Sequence, residues 1–325
     1  MSCIEKKDCR RRLRRFRLQR YKNFAICARF ANFAENMNTS QLSLNYGGKV
    51  IELPRGAIMG IVNATPDSFY AGSRAPGEAA GMRAAELVRQ GADIIDVGAY
   101  STRHGAAEVS AGEEYDRLAR ALESIRRECG GELPLSIDTF RAEVARRCLD
   151  AFGPLMINDI GGTTLDPEIG QVAIQYSVPY VLMHMRGTPA SMQTMTDYDD
   201  VVADVIEDLA RKADVLTQAG LVDIIIDPGY GFAKTVEQNY ALLEALPQFK
   251  AMGFPVLVGI SRKTMIWKPL GITPDEALNG TTVLNTVSLL LGADILRVHD
   301  VKEAVQVRRI LSLFPNLNNQ YPQPC

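Results

Sequence analysis

Ile58-Met-Gly-Ile-Val-Asn-Ala-Thr-Pro-Asp-Ser-Phe69 begins as an unbroken apolar run and ends in polar groups. Residues 58–62 show no polar alternation, which is how a strand buried on both faces of a parallel sheet reads. Asn63, Thr65, Asp67 and Ser68 then follow within six residues, and Pro66 stops any regular continuation. One such junction could be an ordinary turn, because Pro, Asp and Ser are turn residues. Recurrence of the same junction along the chain makes it decisive.

Working outward, apolar runs lie at 57–62, 93–97, 133–137, 155–157, 178–183, 222–226, 255–258 and 294–298. Stretches of helical spacing follow them at 77–90, 113–128, 141–151, from 166, at 199–219, 235–246, 274–291 and 301–314. Gly91, Gly220 and Gly292 read as C-terminal stops, and Asp166-Pro167 as a helix opening with proline at its first position. Alternating strand and helix implies a parallel sheet with right-handed crossovers. Eight units between Arg55 and Leu313 span 259 residues, the size of a (β/α)8 TIM barrel of roughly 250 residues. A doubly wound sheet ranks second, since no GxGxxG follows the first strand. The reading is therefore α/β, a single barrel domain at 51–314. A basic extension and lead-in at 1–50 is expected to be disordered at least to residue 36, and 315–325 is a tail.

The 325 residues are 46% hydrophobic and 23% charged, which suits a globular protein with ample core. Cys3, Cys9, Cys27, Cys129, Cys148 and Cys325 show no CxxC or zinc spacing. They are too sparse for a disulfide scaffold, so a cytoplasmic location is expected. No run of 18 apolar residues implies a membrane span. Residues 1–36 hold 11 Lys/Arg against 3 Asp/Glu, leaving 25 against 35 in the rest. The cluster at 10–17 could be a nucleic-acid arm or a targeting peptide. The favoured reading is an extension without chemistry, with Met37 as the working start. No basic patch elsewhere supports a nucleic-acid function.

Active sites of such barrels lie at the C-terminal ends of the strands. Those ends carry Asn63, Thr65 and Asp67; Ser101, Thr102 and Arg103; Asp138 and Thr139; Asn158 and Asp159; His184 and Arg186; Asp227 and Lys234; Ser261, Arg262 and Lys263; and Arg297 and His299. Asp138, Asn158, Asp227 and Lys263 offer two carboxylates, an amide and an ammonium, a set suited to a flat heterocycle bearing N–H, NH₂ and C=O groups. Arg297, His299 and Arg103, with Asn63 and Thr102, form a cationic half suited to a diphosphate. Each residue alone has a structural alternative. Asp138 could cap the following helix, Lys263 could be a solvated charge at a helix start, and Arg297 could pair with Asp300. Asp159 could cap its own turn, and Asp93, Asp96 and Asp294 could serve structure. Met183 and Met185 read as wall, and Trp267 as packing.

Together these stretches resemble dihydropteroate synthase, a folate-pathway family, from about Arg55 to Arg309. The matching motifs are Met59-Gly-Ile-Val-Asn-Ala-Thr-Pro-Asp-Ser-Phe69, Gly91-Ala-Asp-Ile-Ile-Asp-Val-Gly98 with Ser101-Thr-Arg103, Ser136-Ile-Asp-Thr139 and Ile157-Asn-Asp-Ile160. Met183-His-Met-Arg-Gly-Thr-Pro189, Asp227-Pro-Gly-Tyr-Gly-Phe232, Gly259-Ile-Ser-Arg-Lys263 and Leu296-Arg-Val-His-Asp300 complete the set. The resemblance implies condensation of 6-hydroxymethyl-7,8-dihydropterin diphosphate with p-aminobenzoate. Diphosphate would leave to give a pterin-methylene cation, which the amine then attacks.

By the same resemblance, Asp138, Asn158, Asp227 and Lys263 hold the pterin. Asn63, Thr102, Arg297 and His299 hold the diphosphate, with Mg²⁺ bridging it to Asn63. Ser261, Arg262 and Phe232 border the p-aminobenzoate site. Asp138, Lys263, Arg297 and His299 carry the catalysis. Pro66, Asp67, Ser68, Phe69, Arg103 and His104 lie in loops that close over the substrates. The partners implied are the two small molecules, with no membrane and no nucleic acid, and the family commonly forms homodimers. Tyr100, His104 and Ala233 depart from the family pattern. A pterin-dependent methyltransferase domain and a non-catalytic pterin-binding protein are the competing readings.

Overall fold

The computed structural model describes residues 41–65, 76–100 and 109–314. Every apolar run read from the sequence forms a strand. These are β3 (Ala57–Asn63), β4 (Ile94–Gly98), β5 (Leu135–Asp138), β6 (Met156–Asp159), β7 (Tyr180–Met183), β8 (Ile224–Asp227), β9 (Leu257–Val258) and β10 (Ile295–Val298). They pair in parallel in the order β8-β7-β6-β5-β4-β3-β10-β9. A single parallel bridge between Ile226 and Val256 joins the two ends into a barrel, backed by the Ile226 amide donating to the Pro255 carbonyl at 2.8 Å.

The helices around it are α1 (Pro76–Gln90), α2 (Ala111–Cys129), α3 (Ala142–Phe152), α4 (Ile169–Tyr176), α5 (Val201–Gln218), α6 (Val236–Glu244), α7 (Leu246–Lys250), α8 (Thr264–Leu270), α9 (Leu278–Leu290) and α10 (Val301–Ser312). The sequence reading missed α8, a seven-residue helix with Pro269 inside it. It also opened α4 too early. Asp166 does not start that helix; it accepts the Ala142 amide at 2.7 Å and the Glu168 amide at 3.1 Å, and α4 begins beyond the turn.

The barrel interior is built in layers by the two-residue period of a strand. Its floor is apolar and buried: Met59, Ile94, Met156, Val181, Ile225, Leu257 and Ile295. Two residues further along the same strands come Ile61, Asp96, Asn158, Met183, Asp227, Gly259 and Arg297. One step along β4, β6, β8 and β10 thus replaces the apolar floor with Asp96, Asn158, Asp227 and Arg297. Asp93 and Asp294, before β4 and β10, serve structure. Asp93 accepts the Ile58 amide, and Asp294 the Val256 amide, each at 2.7 Å.

The lead-in departs from the sequence reading. Gln41–Tyr46 (β1) and Lys49–Pro54 (β2) form an antiparallel hairpin, so a boundary at 51 cuts through folded structure. Gly47 and Gly48 both have positive φ, 61° and 97°, as two-residue primed hairpin turns require. Leu44, Tyr46 and Leu53 are buried in the same cluster as the barrel floor. The Asn45 amide donates to Asp223 at 2.6 Å, and the Gly47 amide to the Ser177 carbonyl at 2.9 Å. The hairpin is the plug of the barrel's N-terminal end. Residues 1–40 and 315–325 lie outside the described residues.

Candidate active site

At the C-terminal ends of the strands, Asp138, Asn158, Asp227 and Arg297 come together from β5, β6, β8 and β10. Asp96 of β4 joins them and is fully buried. Its Oδ2 accepts Arg297 Nε at 2.7 Å and Asn158 Nδ2 at 3.1 Å. Arg297 Nη2 reaches Asp138 Oδ2 at 2.6 Å. Arg297 is therefore not on the rim with Asp300; it lies across the interior between two carboxylates. Burial opposes its charge, but Asp96 and Asp138 outweigh that and raise its pKa. Asp138 is not a helix cap, since α3 has Arg141 at that position. Burial lifts the Asp138 carboxyl to about 7, with Arg297 pulling it down and Asp96, Glu114 and Asp159 pushing it up.

Lys263 precedes α8 and points inward. Its Nζ donates to the Tyr230 carbonyl at 2.5 Å and sits 4.7 Å from the centre of the Phe232 ring. Burial lowers its pKa to about 8, against the pull of Asp227. Asp227 Oδ1 accepts the Gly229 amide at 2.7 Å, and burial raises its pKa. Gly229 cannot carry a side chain here: its φ is 72° and a Cβ would lie 2.0 Å from the His184 carbonyl oxygen.

Of the expected cationic half, Arg297, His299 and Asn63 lie among the described residues. His299 is held by Ser261, whose Oγ accepts its amide at 3.2 Å and lies 3.0 Å from Nδ1. Burial first, then Arg297, lower its pKa to about 4, so the ring is neutral near pH 7. Arg262 is committed elsewhere. Its guanidinium grips Asp300 with two bonds of 2.9 and 2.8 Å and also donates to the Pro274 and Asp275 carbonyls. It ties the loop after β9 to the end of β10. Asn63 is exposed at the end of β3. Thr102, Pro66, Asp67, Ser68, Phe69, Arg103 and His104 lie outside the described residues.

Asp159 takes its structural alternative, accepting the amides of Gly161 and Thr163 at 2.7 and 2.8 Å and the Tyr180 hydroxyl at 2.5 Å. His184 is also structural. It is buried, and burial with the neighbouring Lys234 charge lowers its pKa to about 2. Lys234 Nζ donates to the Gly229 and Phe232 carbonyls, both at 2.9 Å, and lies 3.1 Å from His184 Nδ1. This buried amine, its pKa lowered by burial to about 7, fastens the loop after β8 to the end of β7. Replacing Lys234 with Met leaves those acceptors without a donor. The expected cost is about 2–4 kcal/mol, read as a lower denaturant midpoint with an unchanged m-value.

Among the described residues, three strand-end loops hold non-glycine residues in the left-handed region: Thr163 (φ 63°), Ala233 (φ 53°) and Arg262 (φ 55°). Such strain, of order 1–3 kcal/mol each, collects at functional sites. Tyr100, at the entry to one of the expected closing loops, packs edge-on to Phe140 with ring centres 5.3 Å apart. The Arg141 guanidinium lies over both rings.

A family model described as pterin binding enzyme matches residues 59–299. A dihydropteroate synthase of Synechocystis sp. is 45% identical over 260 residues, covering 79% of this chain and 89% of that protein. Dihydropteroate synthase of Xanthomonas albilineans, solved with 4-aminobenzoic acid, superposes with a TM-score of 0.77 at 36% identity, covering 87% of this chain and all of that one. The same enzyme in complex with 7,8-dihydropteroate gives 0.75 at 34% identity, over 86% of this chain and 100% of that one.

Proposed function

The chain belongs to the pterin-binding enzyme family, and from that premise we infer the reaction it performs and the residues that perform it. It condenses 6-hydroxymethyl-7,8-dihydropterin diphosphate with p-aminobenzoate, releasing diphosphate and 7,8-dihydropteroate, a transfer step of folate biosynthesis. One observation in the geometry supports this most: two carboxylates, an amide and an ammonium stand together at the C-terminal end of the barrel, the donor and acceptor set a pterin ring needs.

Asp138 and Asp227 accept the ring N–H and amino groups, Asn158 accepts through Oδ1, and Lys263 donates to an acceptor of the ring. Phe232 and Ser261 border the p-aminobenzoate, with Arg262 acting through the shape of its loop. Asn63, Arg297 and His299 hold the diphosphate, and Thr102, outside the described residues, is assigned to the same group. His299 serves as a neutral donor, and Arg297 through Nη1, which takes no part in its bonds to Asp96 and Asp138. As the diphosphate departs, these donors hold its developing charge. The two carboxylates favour the cation left on the pterin methylene, and the amine attacks it. No protein nucleophile is required.

Among the described residues no three His, Cys, Asp or Glu gather into a metal site. The Asn63 amide oxygen is a hard, neutral donor, which fits a Mg²⁺ that arrives with the diphosphate and keeps most of its other ligands from phosphate and water. Such an ion would supply positive charge against the leaving group. The test is diphosphate release from the dihydropterin diphosphate in Mg²⁺ buffer, with and without p-aminobenzoate. Release coupled to dihydropteroate formation and lost with EDTA is expected. Binding without coupled release would overturn the assignment.

A second copy of this chain is the partner proposed for α9. That helix is inverted: Thr281, Asn285 and Ser288 face the barrel, while Val283 and Leu290 are 53% and 41% exposed. Ile310 and Phe314, at and just beyond the end of α10, extend the apolar surface. Val283→Asp with Leu290→Asp is expected to halve the mass measured by light scattering and leave the melting temperature within about 2 °C. Among the described residues no helix is long and apolar enough to cross a membrane. The cytoplasmic location rests on the sparse cysteines of the sequence.

A further inference from the structure

We propose that Asp96 is a positioning residue of the pterin pocket, one that fixes which end of the Asn158 amide faces the ligand and holds Arg297 across the barrel. This rests on the pterin reading of the site and deepens it.

The argument is one of donors and acceptors. An ionised carboxylate only accepts. Asp96 Oδ2 receives Arg297 Nε at 2.7 Å, Arg297 Nη2 at 2.6 Å and Asn158 Nδ2 at 3.1 Å. Turning the Asn158 amide over would set its oxygen against that carboxylate. The nitrogen end therefore points down into the barrel, and Oδ1 is presented to the pocket as an acceptor. An amide alone carries no such preference, because its two ends have nearly the same shape. Asp96 is fully buried and lies in register with Ser136 of β5, two residues before Asp138, with Arg297 and Asn158 bonded to its Oδ2, so it reaches the ligand only through its neighbours. Groups that orient the binding groups in this way usually matter 10–100-fold.

Asp96→Asn keeps the shape and removes the direction. The new amide can donate or accept, so Asn158 can lie either way, and Arg297 keeps Asp138 as its one ionised partner. The expected result is a KM for the dihydropterin diphosphate raised roughly 10- to 100-fold, with the KM for p-aminobenzoate little changed. A second readout is pH. The Asp138 carboxyl faces Arg297 from β10, Asp96 from β4, Glu114 from α2, Asp159 from β6 and Lys263 from the loop after β9. Removing the Asp96 charge relieves one repulsion, so the acid limb of pterin binding should move to lower pH. An altered core alone would not produce that move.

Asp96→Asn with unchanged pterin KM and unchanged pH limb overturns the proposal, provided the wild-type enzyme turns over. A wild-type enzyme that does not turn over would instead refute the reaction. The side-chain amide spectrum of the wild-type protein decides the positioning in that case, or if the variant fails to fold. One Asn158 NH₂ proton, assigned by its loss in Asn158→Ser, should be shifted downfield and slow to exchange. Two equivalent, fast-exchanging protons would overturn the proposal.

Discussion

Asp138→Ala is expected to abolish measurable binding of the dihydropterin diphosphate, with affinity by calorimetry falling at least 100-fold. Two losses add. The ligand loses an ionic acceptor, and hydrogen bonds to charged groups contribute about 1.5–3 kcal/mol. Arg297 also loses the carboxylate 2.6 Å from its Nη2 and is left inside the barrel with Asp96 alone. Asp138→Asn separates the two, because it keeps the shape and part of the contact. The wild-type profile should carry an acid limb near the carboxyl's raised pKa of about 7. The sign follows from the direction of the shift: burial favours the protonated acid, so the accepting carboxylate is lost as pH falls through about 7 rather than about 4. Asp138→Asn should lack that limb. Unchanged affinity in both variants would sink the pocket assignment.

The second large effect is expected from truncation. Removing residues 1–36 should leave both kcat and the melting temperature intact, since no motif of the barrel lies there. Removing residues 1–54 should leave no cooperative thermal transition. The hairpin buries Leu44, Tyr46 and Leu53, and deleting a large buried side chain costs about 2–5 kcal/mol each. Their loss also bares the floor formed by Met59, Ile94, Met156, Val181 and Ile225. A domain with about 5–15 kcal/mol of net stability does not withstand that. A folded, active protein starting at residue 55 would show the plug to be dispensable.

The barrel was legible because parallel strands are buried on both faces, so each apolar run stood out between helices. The same property hid Asp96. A run with no alternation does not reveal which residues face inward, and Asp96 was grouped with Asp93 and Asp294. Those two do clip strand ends by accepting the Ile58 and Val256 amides. Asp96 shares the parity of Asn158 and Arg297, two residues beyond the floor, and a lone carboxylate in mid-strand was the available signal. The hairpin was legible too, in the alternation of 41–46 and the Gly47-Gly48 turn, but the basic stretch before it drew the boundary too late. His299 was read as cationic from its type, and burial makes it neutral. The Arg262–Asp300 pair lay beyond sequence, because Arg262 and Asp300 are 38 residues apart and both follow a strand end.

The barrel is fastened unevenly. Seven of its junctions are ladders, whereas β8 and β9 meet at one bridge, and β9 is only two residues long. The Val256 amide there is held by the Asp294 carboxylate instead of a neighbouring strand. Local opening should therefore begin at this junction, and the Ile226 amide should exchange with solvent sooner than its counterparts in β4 or β6. Asp227 stands on one lip of the gap and Lys263 on the other. A pterin gripped by both would close the ring like a clasp, so ligand should slow exchange at Ile226 more than anywhere on the far side of the barrel.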